Sequence, residues 1–165
     1  MYDVNLSYRK SDILRGALIY SSGDTVAALI LNEFSIYRMI GIIIIGATFY
    51  AFEIPNYFSW IDRKLGNEKG NTKSLKRTVL ALLYFNPLWI ARHLFFINLF
   101  KGNLVSLNLS LVVIGIYSFI LNIPISFIMN YLIQNKVKLK WRFTASAIFS
   151  ALMAIYYALS EVLFR

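Results

Sequence analysis

Long apolar runs alternate with short polar ones along the whole chain. Five apolar stretches occupy roughly 13–31, 39–61, 78–100, 108–133 and 143–160. Each holds about 18–26 residues, against the ~20 that a helix needs to cross a hydrocarbon core. The pattern predicts an all-α fold: a multi-pass transmembrane bundle of about five membrane-embedded helices. If all five stretches cross, the connections fall alternately on two sides. One side receives Arg9, Lys10, Arg63, Lys64, Lys69, Lys73, Lys76, Arg77, Lys136, Lys138, Lys140 and Arg142; the other receives Arg38, Lys101 and Arg165. Arg15 and Arg92 fall inside spans. So lopsided a split over short loops is the positive-inside bias.

Composition narrows the class. The 165 residues are 58% hydrophobic and only 15% charged. A soluble domain could not bury five such stretches and keep a wettable surface. No loop is long enough for a separate domain, so residues 1–165 read as a single membrane domain. The net charge of +9 could suggest nucleic acid, but topogenic lysines and arginines account for it, and no nucleic-acid partner is expected. The chain has no cysteine, which excludes disulfides, thiolate metal sites and cysteine nucleophiles. Met1–Ser11 lacks the apolar region and small-residue site of a cleavable signal, so the first span is expected to carry the targeting information.

Between the spans, Ser11-Asp12 suits the N-cap of the first helix. Residues 62–77 form the main loop, and Gly66–Ser74 within it reads as a linker. Residues 135–142 (NKVKLKWR) form a basic segment with Trp141 at headgroup depth. Lys136, Lys138, Lys140 and Arg142, with Arg63 and Lys64, are the candidate lipid-headgroup residues. In the last span Ser146, Ser150, Ala154 and Ala158 recur every four residues, a spacing that lets helices approach closely in lipid. The ridge serves either a partner interface or packing within the bundle, and the second is favoured.

Charges at membrane depth cost ~2.5–3.5 kcal/mol on insertion scales, so each needs a reason. Measured from the positive side, Asp24 lies about 16 Å deep, Arg92 about 21 Å and Glu53 about 12 Å. An Asp24–Arg92 ion pair between the first and third spans is expected, with Glu53 as an alternative partner for Arg92 or for His93, the only histidine. Asn122 and Pro124 sit near mid-depth in the fourth span, where proline frees a backbone carbonyl. Asp24, Glu53, Arg92, His93 and Asn122 either line a wet path or pair with one another. No set of ligands converges on His93 as a metal site would require, and no paired-carboxylate, serine-elbow or phosphate-loop motif is present. Neither a catalytic residue nor a cofactor is expected.

The motifs also have an order. The first span carries Gly23-Asp24, and the second ends Tyr57-Phe58-Ser59-Trp60-Ile61-Asp62-Arg63. Lys76-Arg77 opens the third span, with Phe85-Asn86-Pro87 following, and Pro124 precedes Asn130-Tyr131 in the fourth. This order resembles the family of the twenty-two-kilodalton peroxisomal membrane protein and its Mpv-type mitochondrial relatives. The resemblance implies a small helix bundle of the inner mitochondrial or peroxisomal membrane, with channel activity in the best-known members. The chain departs from the family at Ala28, Ala51-Phe52, Ala81-Leu82 and Phe127, where the family has Gln, Gly-Pro, Asp-Gln and Gln. Lost polar groups favour dry helix packing over ion passage. The expectation is a non-enzymatic accessory subunit of an inner-membrane complex, such as a respiratory complex or the ATP synthase; the alternative is a small-solute or ion channel. Its expected partners are other membrane subunits and membrane lipids, cardiolipin among them. Its expected place is the mitochondrial inner membrane with the N-terminus toward the matrix, a peroxisomal or bacterial inner membrane being the other settings.

Overall fold

A computed structural model describes residues 6–66 and 70–163, with side chains described as far as Tyr156. Among the described residues every regular element is helical. The first apolar stretch forms α1 (Lys10–Ile30), which begins three residues ahead of the apolar run and takes Arg9 as its N-cap, not Ser11-Asp12. Asp12 instead sits in the first turn, where a carboxylate meets the positive end of the helix. There it accepts a hydrogen bond from Arg9 Nε at 2.7 Å.

A tight turn ends α1. Asn32 adopts φ +56°, and the N–H of Glu33 reaches back to the Ala28 carbonyl at 2.8 Å. That is the Schellman closure, with asparagine in the left-handed position usually given to glycine. Three residues on, the Ser35 side chain accepts from the Arg38 N–H and caps α2 (Ile36–Ile45). A π-helical turn over Gly46–Tyr50 joins α2 to α3 (Ala51–Lys64), and the three form one helical rod of 29 residues. Pro55 lies inside α3 and cannot donate to the carbonyl one turn back.

The region read as a linker is helical from Gly70, where α4 (Gly70–Tyr84) begins. Glycine, asparagine, threonine and lysine over 70–73 carry no apolar period, so the helix start is not visible in them. A two-residue break at Phe85-Asn86 separates α4 from α5 (Pro87–Phe100). Pro87 fills the first helical position, and the Asn86 side chain accepts from the Leu88 and Trp89 N–H groups at 2.9 and 3.1 Å. Gly102 (φ +73°) closes α5 in a second Schellman turn, with the Asn103 N–H on the Asn98 carbonyl at 2.9 Å. A short 3₁₀ turn at Leu104–Ser106 leads to α6 (Ser110–Lys136), which runs through Pro124, and α7 (Leu139–Leu163) follows after two residues. The basic segment 135–142 is therefore the end of α6 and the start of α7, not a separate interfacial piece.

Among the described residues four helices are long and apolar enough to cross a membrane: Lys10–Ile30, Ile36–Lys64, Gly70–Phe100 and Ser110–Lys136. The 25-residue α7 is a further long helix. The protein is an all-α helix bundle of the integral-membrane kind. The chain groups into two compact units, residues 1–60 with 140–165, and residues 61–139, where the sequence reading placed one domain over 1–165.

In the first unit α1 runs antiparallel to α2 and the π turn. Gly16 and Gly46 meet backbone to backbone, and a Cβ on either would strike the other's carbonyl oxygen. Tyr20 and Tyr50 pack 4.7 Å apart between ring centroids, and Ile42, Ile54, Phe58, Phe143 and Ala147 complete the buried centre. In lipid, where burial of apolar side chains gains little, such close backbone approach is what holds helices together. In the second unit α4 and α5 pack on α6. Gly115 of α6 lies against the Pro87 carbonyl, where any Cβ would collide, so α6 closes directly on the start of α5.

Candidate functional site

The charge buried at membrane depth lies at the far end of the α1–α2 hairpin. Arg38 donates to Asp24 along one edge of its guanidinium, Nε to Oδ2 at 2.8 Å and Nη2 to Oδ1 at 2.7 Å. Asp24 is 4% exposed and Arg38 5%. Glu33, from the connecting turn, places a carboxylate oxygen 3.6 Å from Arg38 Nη1. A bidentate fork of this kind satisfies both carboxylate oxygens in fixed geometry, which is what a buried ion pair needs to offset desolvation. The expected Asp24–Arg92 pair is thus replaced by Asp24–Arg38. Depth along the helices takes no account of the hairpin: Asp24 and Arg38 stand seven residues either side of Leu31, where the chain turns.

The other polar groups expected at depth have separate surroundings. Asp24 and Glu53 belong to the first unit, while Arg92, His93 and Asn122 belong to the second. The His93 ring stacks on Trp89 at 5.8 Å and 9°. The Asn122 amide donates to the Ser118 carbonyl one turn back at 2.6 Å, a local bond that leaves it facing its own helix. Among the described residues no group of three His, Asp or Glu is placed to hold a metal ion.

The small-residue ridge of α7 packs inside its own unit. Ser146 and Ala147 are buried, Ser150 and Ala154 are half-buried, and a Cβ on Gly23 of α1 would strike Ala151. The side chain of Ala158 lies outside the described residues. Of the candidate headgroup residues, Arg63, Lys64, Lys136, Lys138 and Lys140 are exposed. Arg142 is not: it is 6% exposed and turned inward. Its neighbours explain why. From Leu139 the chain is helical, and Arg142, Phe143, Ser146 and Ala147 share the buried face, whereas the alternation of lysines with Val137, Leu139 and Trp141 suggests a period of two.

Several polar contacts had no clear signal in the sequence. Asn56 clamps the chain ahead of α1, donating to the Ser7 carbonyl and accepting from the Ser7 N–H, both at 2.8 Å. The Tyr8 hydroxyl donates to the Ala47 carbonyl in the π turn at 2.6 Å. Arg15 lays its guanidinium over the Trp141 ring, 4.3 Å from the centroid. In the second unit Arg77 Nε lies 3.0 Å from Asp62 Oδ1, and Asn135 donates to Thr78 Oγ1 and the Ser74 carbonyl at 3.2 and 3.3 Å. Each of these pairs joins residues ten or more positions apart, beyond the reach of local spacing rules.

No family model, curated protein or solved structure matches the chain.

Proposed function

We propose that the chain is a non-enzymatic structural subunit of a larger membrane assembly. The observation that carries this reading is the closure of Asp24 by Arg38. A carboxylate held at both oxygens by a buried guanidinium is spent on holding α1 to α2. It offers no free charge to a permeating ion, and rings of free charge are what select ions in a pore. The tight seams at Gly16–Gly46 and Gly23–Ala151 support a dry, fixed bundle in the same way. The many exposed aliphatic and aromatic side chains along α1, α2 and α6 then serve as surface for lipid and for neighbouring subunits.

The mitochondrial inner membrane, with the N-terminus on the matrix side, is the setting that the charge asymmetry and the Mpv-type resemblance favour. A respiratory complex or the ATP synthase is the kind of assembly such a subunit would join. Solubilisation of the native membrane in digitonin, a native gel and mass analysis of the excised bands test this directly. Migration with a large complex is expected. Migration only as a small free protein across a series of mild detergents would overturn it.

A further inference from the structure

We infer that the seam between α1 and α7 is a phospholipid site: Arg15 and Trp141 hold an anionic headgroup at the membrane surface, and the apolar groove below them holds one of its acyl chains. The two helices run parallel. Arg15 meets Trp141 near their N-terminal ends, and farther along Gly23 meets Ala151. Between and below these contacts lies an open groove of about 300 Å³, walled by Leu18, Ser22 and Val26 on α1 and by Ile148, Leu152 and Ile155 on α7, with Gly23 and Ala151 as its floor. A methylene takes roughly the ~30 Å³ that a water occupies in the liquid, so the groove has room for about ten. That is one acyl-chain segment, and too little for a helix, whose width with side chains is about 10–12 Å.

Each wall continues to the surface as a single helical stripe. On α1, Arg15 stands three, seven and eleven residues before Leu18, Ser22 and Val26; on α7, Trp141 stands seven, eleven and fourteen before Ile148, Leu152 and Ile155. Such spacings share one helix face, so the cation and the indole cap the mouth of the groove they belong to. Arg15 keeps capacity for an anion. Its side chain is 30% exposed, and the nearest carboxylate, Asp12, lies 3.9 Å away at Oδ1 and holds Arg9 at 2.7 Å through Oδ2. Stacking on Trp141 occupies the guanidinium's face and leaves its edge donors, which fit phosphate in a fork. Lys10 and Lys140, both exposed, add positive charge at the same level, and Trp141 has the amphipathic ring suited to headgroup depth. The occupant comes from the bilayer the helices span, so the site depends on that alone and not on the subunit reading.

The test is native mass spectrometry of the full chain from nanodiscs of phosphatidylcholine with a minority of phosphatidylglycerol. One phosphatidylglycerol adduct should survive activation that strips phosphatidylcholine. Arg15→Gln should weaken it by about tenfold, the loss of one charge-assisted hydrogen bond. Arg15→Lys keeps the charge but loses the fork and should fall between wild type and Arg15→Gln, which separates charge from misfolding. Ser22→Phe fills the groove without touching a charge and should release the adduct as well. Equal retention of both lipids by the wild type would overturn the site. So would retention unchanged in Arg15→Gln and Ser22→Phe, or a dimer mass in place of the lipid adduct.

Discussion

Removing Arg38 should damage the protein far more than removing Asp24, although the two form one ion pair. Arg38→Met leaves the Asp24 carboxylate 4% exposed with neither of its two hydrogen bonds, and stripping one partner from a buried pair costs about 3–5 kcal/mol. Asp24→Asn leaves Arg38 with Glu33, 3.6 Å away, and an amide oxygen still able to accept, so about 1–3 kcal/mol is expected. Combining Asp24→Asn with Arg38→Met removes the orphaned charge and should recover part of the Arg38→Met loss, because no carboxylate is then left buried and unpaired. Unfolding in mixed micelles, followed by helical circular dichroism as denaturing detergent is added, supplies the three differences and their cycle. A coupling of about 2 kcal/mol between 24 and 38 is expected. Equal losses in the two single variants, or additive losses in the double, would refute the assignment of Arg38 as the partner that holds Asp24.

Three further outcomes follow from the fold. Gly16→Ala should cost about 1–3 kcal/mol in the same assay, as overpacking does, because the added Cβ strikes the Gly46 carbonyl; the exposed Ser22→Ala on the same helix should stay within ~0.5 kcal/mol of wild type. Asn86→Ala removes the cap of α5 and should lower stability by about 1 kcal/mol; no change would mean that the break after α4 is held by Pro87 alone. The chain has no cysteine, so single cysteines at Asn103, in the connection ahead of α6, and at Lys136, its last residue, can be labelled with an impermeant maleimide on sealed vesicles. They should react from opposite sides, and reaction from one side would contradict a crossing α6.

The helices themselves were legible in the sequence. Runs as long as 108–133 have no cheaper way to satisfy their backbone in lipid, and α6 follows from length alone. Their ends were less legible. Gly70–Lys73 has no apolar period, and the break at Asn86 hides inside a stretch that is apolar on both sides, its only mark being the Asn-Pro pair. The buried site divides the same way. Asp24 stood out because a carboxylate is costly at that depth, but its partner had been counted among the loop charges. Arg38 lies only two residues into α2, and register about the turn at Leu31, not depth, decides what it meets. Arg142 failed for a different reason. Interleaved lysines give the impression of a surface strip, but a helix starting at Leu139 turns the fourth residue inward.

The π turn at Gly46–Tyr50 gives the second span slack in length at that point and nowhere else along α2 or α3. A π turn carries one residue more than the α-helical turn it replaces. Removing one residue there would let the rod close as an uninterrupted α-helix with the same number of turns, so the residues beyond it would keep their phase relative to α1. Ile54 and Phe58 would stay on the buried face and the Asn56 clamp would still meet Ser7; the contact at stake is the local one between the Tyr8 hydroxyl and the Ala47 carbonyl. In the regular α-helical parts the outcome is opposite. Each residue advances an α-helix by about 100°, so a deletion between Ala51 and Ile54 would swing Ile54, Asn56 and Phe58 off the face they occupy. Drift in length is therefore channelled into these five positions, while elsewhere the span can change only residue for residue.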